Sequence, residues 1–210
     1  MVVSPSLSKP SRVKSYNRAV VPPAASRAEV LAAEIIELLQ TQGCAPYDGG
    51  PVSHRAHAVQ CAMLAMETLN DLPVIIGALL HDVGYLLHNE MACKTIPADK
   101  AALGAAYLRR MGFSDRVCAM AAQHTIGKRY LLATTKEYEA LLSPRNLKQL
   151  HAQGGSLTAT EAAAFEQQPY FADVIRVCRW DVAAKKRNAV LLPLSFFRRL
   201  LWDHLSRTTL

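Results

Sequence analysis

Glycine is scarce, ten in 210 residues, and no run alternates apolar and polar residues as a half-buried strand does. A sheet architecture has nothing to build on, and no internal repeat stands in for one. No apolar stretch approaches the roughly 20 residues needed to span a bilayer, and the N-terminus lacks the apolar segment of a secretory signal. The expectation is a soluble cytoplasmic protein without a membrane partner. The five cysteines (Cys44, Cys61, Cys93, Cys118, Cys178) form no CxxC pair, so buried, reduced thiols in a reducing compartment are the default. Acidic residues are absent before Glu29, whereas Lys9, Arg12, Lys14, Arg18 and Arg27 precede it. With Ser and Pro and no helical period, residues 1–25 read as a disordered basic arm. An organellar transit peptide remains open for this arm.

Half of the chain is hydrophobic and a fifth is charged, with many Ala and Leu, the residues that favour helix. The length suits one domain with a buried core, here residues 26–210. A net charge of +7 and a pI near 9.3 raise the question of nucleic acid. The basic residues are dispersed, with short runs only at Lys185-Lys186-Arg187 and Arg198-Arg199, so a small anionic substrate suits them better than a phosphate backbone.

Helix starts are legible. Ser26-Arg27-Ala28-Glu29 is a capping box before the stripe Val30, Leu31, Ile35, Ile36, Leu39, and this helix stops near Gly43. After the Gly-Pro loop at 47–51, a second helix runs through Ala56, Val59, Leu64 and Leu69. Asp71-Leu72-Pro73 precedes a third, from Val74 to about Leu87. Further helices are predicted over about 99–112, 114–124, 134–142, 158–167, 170–187 and 194–206. The fold class is all-α, a bundle whose site must come from side chains facing inward across helices.

The apolar third helix contains His81-Asp82, a neutral nitrogen and a carboxylate whose burial is costly without a partner. A structural His-Asp pair is the plain explanation, and a metal is the other. His57 lies one helix earlier and Asp181 far downstream. Two His and two Asp make a mixed nitrogen and oxygen set suited to iron, manganese, zinc or nickel.

The order His57, His81-Asp82, Asp181 resembles the H...HD...D pattern of the HD superfamily. Gln123-His124-Thr125-Ile126-Gly127-Lys128-Arg129 is similar to a segment of its oxygenase branch, the diiron enzymes that cleave C–P bonds in hydroxylated phosphonates. Tyr47, the Leu142-Ser143-Pro144 turn, Gln153-Gly154-Gly155 and Arg179-Trp180-Asp181 extend the likeness over about residues 45–187. The resemblance implies an iron cofactor of one or two ions, O2 as co-substrate, and a small anionic hydroxylated substrate. His57, His81, Asp82 and Asp181 would hold the first ion, while Asp82 would bridge to a second held by His124. Asp82 and His124 are thus the implied catalytic pair, and Tyr47, Lys128, Arg129, Asn146 and Gln153 the implied substrate contacts.

The chain departs from that pattern where a second-metal His falls on Lys100, which has no lone pair when protonated. Lys100 is expected beside His124 and Asp82, its ammonium replacing the second ion. His88 is a remote substitute ligand. Gly50, Asn146 and Cys178 replace an acid, a serine and an arginine, which implies an altered substrate. Two other readings stay open: phosphoester hydrolysis at a single metal, where one ion activates water, and a catalytically silent HD-fold binding protein. His54, one turn before His57 on the same face, reads as a surface residue or a support for the ligands and not as a ligand. His151 and His204 have no ligand context, and Phe196, Phe197 and Trp202 with Leu200 and Leu201 read as core.

Overall fold

The computed structural model describes residues 25–87 and 99–208. Most of the expected arm, and His88, lie outside them. The described residues form ten α-helices and no strand, only an isolated bridge between Pro46 and Ser53. No helix among them is long and apolar enough to cross a membrane.

Helix α1 (Arg27–Thr41) starts at the Ser26 capping box, with Ser26 accepting from the Glu29 amide and Glu29 accepting in return. It buries Ile35, Ile36 and Leu39 against α10 (Leu194–Thr208), while Val30, counted in the apolar stripe, is 54% exposed. Ser53 caps α2 (His54–Thr68), and Pro73 sits in the first turn of α3 (Leu72–Leu80), where its missing N–H costs nothing. The third predicted helix is in fact broken: α3 ends before His81-Asp82, and a short α4 (Val83–Leu87) resumes after them. α4 crosses α5 (Lys100–Arg110) glycine on glycine. A Cβ on Gly84 would collide with the Lys100 carbonyl, and one on Gly104 would come 2.9 Å from the Gly84 amide.

The centre of the bundle is α6 (Asp115–Thr134), packed on α3, α5 and α9 (Phe171–Ala183). It runs about ten residues past its predicted end, straight through Gly127, because that glycine is a packing surface and not a stop. A Cβ there would meet Cys178 Sγ at 2.7 Å and Val174 Cγ1 at 2.9 Å. The helix predicted over 134–142 is only turns and the short 3-10 segment Glu139–Leu141. Its place is taken by α7 (Pro144–Ala152), whose cap is Ser143 and whose first residue is Pro144. Serine followed by proline is an N-terminal helix signal as well as a turn signal, and the apolar count of α7 is too low for periodicity to find it. α8 (Ala159–Glu166) begins at the second capping box, Thr158 with Glu161.

The core is continuous through Ile35, Leu39, Ile76, Leu80, Leu108, Met120, Leu131, Phe197, Leu201 and Leu205, all within 1% of complete burial. Of the C-terminal apolar stripe, Phe197 and Leu201 are core as expected. Phe196 at 37% and Trp202 at 41% exposure are not.

Candidate metal centre

Two helix ends, one helix break and one unbroken helix bring the ionisable residues together. His57 comes from the first turn of α2, His81 and Asp82 from the α3–α4 break, His124 from the middle of α6, and Asp181 from the last turn of α9. None is more than 9% exposed. His57, His81, Asp82 and Asp181 offer donor atoms that all lie within 4.8 Å of one another. His57 Nε2 is 3.2 Å from Asp181 Oδ1, and His81 Nε2 is 3.3 Å from Asp82 Oδ2. His124 stands at the other oxygen of the same carboxylate, with Nε2 3.2 Å from Asp82 Oδ1.

The second nitrogen of each ring explains this orientation. Nδ1 of His57, His81 and His124 lies 2.9, 2.9 and 2.8 Å from the carbonyls of Ala184, Ala78 and Ala121. A carbonyl only accepts, so Nδ1 carries the hydrogen, and in the neutral rings each Nε2 turns a lone pair toward the carboxylates. The Ala184 carbonyl is available because α9 ends at Ala183. Lone pairs facing lone pairs is an unfavourable arrangement, and His81 Nε2 and Asp82 Oδ1 are indeed buried without a hydrogen-bond partner. A divalent cation among the Nε2 and carboxylate oxygens resolves it, so the residues present fit a metal.

Electrostatics agree. Burial pushes the Asp82 carboxyl up, but His81 and His124 outweigh it and hold it well below the usual carboxylate range. Asp181 behaves likewise, with Lys128 the main counterweight to burial. Burial pushes His81 down, but the Asp82 and Asp181 carboxylates together outweigh it, so its net shift is upward. Lys128 Nζ pairs with Asp181 Oδ2, and the two carboxylates raise its pKa despite burial. Tyr47 closes the other side: its ring stacks on His57 with centroids 3.7 Å apart, and its hydroxyl donates to Asp181 Oδ1 at 2.9 Å.

From Asp82, His124 and Asp181 a cavity of about 160 Å³ opens outward past Tyr47, Lys128, Asn146 and Gln153. Arg129 is not at the cavity; it donates to the carbonyls of Gly155 and Gly154 and ties down the loop after α7. Lys100 also differs from expectation. Its Nζ has no hydrogen-bond partner and no ion pair with Asp82 among the described residues, and burial alone lowers its pKa. The ammonium in the centre is that of Lys128, one turn past His124 on α6. His204, far from the cavity, is buried where its Nε2 accepts from the Ser114 amide, and His151 is exposed.

The sequence reading missed Tyr85, Arg145, Gln149 and Lys185, which also line the cavity. Tyr85 and Lys185 lie one helical turn beyond Asp82 and Asp181, a spacing that was available as a signal. Gln149 donates to the Tyr85 hydroxyl at 2.9 Å and required recognition of α7 as a helix.

Comparison with known proteins agrees with this geometry. Residues 55–152 match the model of the HD domain. The chain is 32% identical over 154 residues to [1-hydroxy-2-(trimethylamino)ethyl]phosphonate dioxygenase (glycine-betaine-forming) of Leisingera caerulea, covering 72% of this chain and 78% of that one. It is 33% identical over 158 residues to hydroxymethylphosphonate dioxygenase of Gimesia maris, covering 73% and 78%. An uncharacterized protein of Acanthamoeba polyphaga mimivirus is 28% identical over 181 residues, covering 83% and 82%. A helical bundle that gathers the H...HD...D residues, with relatives of this kind, belongs to the HD-domain family, in the branch that includes phosphonate dioxygenases.

Proposed function

We propose that the chain is a non-haem iron oxygenase acting on a small hydroxylated phosphonate-like anion. One observation carries this reading beyond a general HD metal site: Asp82 turns one oxygen to His81 and the other to His124, 3.3 and 3.2 Å away. A site for one ion needs only the first side. A carboxylate flanked on both sides by buried imidazoles would be able to serve two ions, and His124 would be the donor on the far side. The names of the two dioxygenase relatives support the same reading.

His57, His81, Asp82 and Asp181 would hold one iron, and Asp82 with His124 would face a second. Bound iron supplies the means to reduce O2, which free side chains lack. The protein's own residues bind and exclude. Tyr47 covers His57 and holds Asp181 in place, Lys128 fixes the other oxygen of Asp181, and Asn146 and Gln153 offer neutral hydrogen-bonding groups at the open end. Lys128 and Lys185 supply positive charge toward an anion. Oxidative cleavage balances as one hydroxyphosphonate plus one O2 giving one carboxylic acid and one phosphate.

The test is phosphate release from a panel of 1-hydroxyphosphonates by iron-loaded protein, under air and under argon. Release that requires O2, with carboxylic acid formed one to one, is expected. Oxygen-independent release from phosphomonoesters would identify a hydrolase instead, and metal binding with neither activity would identify a binding protein.

A further inference from the structure

Cys61 lies one helical turn after His57 on α2, fully buried, with Sγ 3.6 Å from His57 Nε2. The sulfur, one nitrogen of His57 and one of His81 all lie within 4.8 Å of one another. His81 Nε2, the ring nitrogen not held by a backbone carbonyl, is buried and has no hydrogen-bond partner. A tetrahedral ion with bonds of about 2.3 Å to sulfur and about 2.05 Å to nitrogen holds those atoms about 3.6 Å apart. The observed separation of sulfur and nitrogen therefore matches a shared ion, and both groups sit on adjacent turns of one helix, so little movement is needed.

We propose that His57, Cys61 and His81 form a second, soft-donor metal site for a thiophilic divalent ion, zinc above all, which competes with the carboxylate set for the same two imidazoles. The carboxylate set suits harder ions, whereas a thiolate with two imidazoles suits zinc. On binding, the thiol gives up its proton to solvent and the sulfur becomes a ligand; nothing is oxidised. Because His57 and His81 belong to both sets, an ion on the sulfur side withdraws two donors from the iron side. Zinc and iron then exclude each other, and the metal composition of the medium decides which form of the protein exists. This inference stands without the oxygenase reading, since it concerns only which donors an ion meets.

The experiment uses the metal-free full chain under argon, titrated with Co2+, which adopts zinc-like sites and reports a bound thiolate as an intense near-ultraviolet charge-transfer band. Wild-type protein is expected to develop the band, to lose it when Zn2+ is added, and to lack it in Cys61→Ala. Zinc affinity, read by competition with a chromophoric chelator, is expected to fall at least about tenfold in that variant. A wild-type spectrum without the band, or a band that survives Cys61→Ala, overturns the proposal. Should Cys61→Ala fail to fold, Cys44→Ser, Cys93→Ser, Cys118→Ala and Cys178→Ala decide singly: each keeps the band, and its loss in any one of them reassigns the thiolate and overturns the site.

Discussion

At the buried end of the cavity each imidazole has its Nδ1 fixed by a backbone carbonyl, and each carboxylate meets a buried imidazole or ammonium. At the open end Asn146, Gln149 and Gln153 belong to α7 and its C-terminus, and α7 buries only Leu150. The first arrangement fixes positions before any ligand arrives; the second leaves side chains adjustable. Chemistry that depends on donor geometry is therefore placed at the buried end, and choice of substrate at the open end.

Breaking the buried end should have the largest effects. Asp181→Asn leaves Lys128 buried beside a neutral amide, and should lower the stability of the metal-free protein by about 3 kcal/mol in urea unfolding. His57→Ala removes a donor that both carboxylates face, and should weaken Fe(II) binding by about 100-fold or more in anaerobic titration. The helical circular dichroism should persist.

The pH dependence of the metal-free protein follows from the same groups. Asp82 and Asp181 are depressed from 3.8, so their contribution is full above that value and is lost as pH falls through their lower folded values. His81 is raised from 6.5, so its contribution is present below 6.5 and is lost as pH rises through its folded value. Thermal stability should therefore be greatest between 3.8 and 6.5 and decline on either side. A melting temperature that rises from pH 6.5 upward would count against the described pairing.

Smaller changes sharpen the contrast. Lys100→Met removes a buried amine that has no partner among the described residues, and should raise stability by about 1 kcal/mol while leaving the iron stoichiometry unchanged. Gln149→Ala, at the open end, should change stability by less than about 0.5 kcal/mol. It should raise KM with little change in kcat, as expected for a contact that binds ground and transition states alike. A large fall in kcat would move α7 into the chemistry and weaken the division between the two ends.

What the sequence showed and hid follows the same line. His81 and Asp82 were legible because a neutral donor and a carboxylate inside an apolar helix demand a reason. His57 and Asp181 were legible from the H...HD...D order, and His124 from the resemblance of its segment to the oxygenase branch. The ends of α6 and α7 were not, since Gly127 and Pro144 are read locally as breaks while tertiary packing and capping give them other uses. Charge type does not encode direction: Lys100 lacks the expected pairing with Asp82 among the described residues, Arg129 turns to the Gly154 and Gly155 carbonyls, and Lys128 pairs with Asp181 in the centre. The thiol of Cys61 was read as core, and its distance to His57 exists only in the folded chain.

The most direct test of the account is an anaerobic Fe(II) titration of the metal-free chain beside His57→Ala and Gln149→Ala. The account predicts that wild type and Gln149→Ala bind iron equally, with at least about one equivalent per chain, and that His57→Ala loses it. Iron binding unchanged in His57→Ala, or absent from wild type, would contradict it.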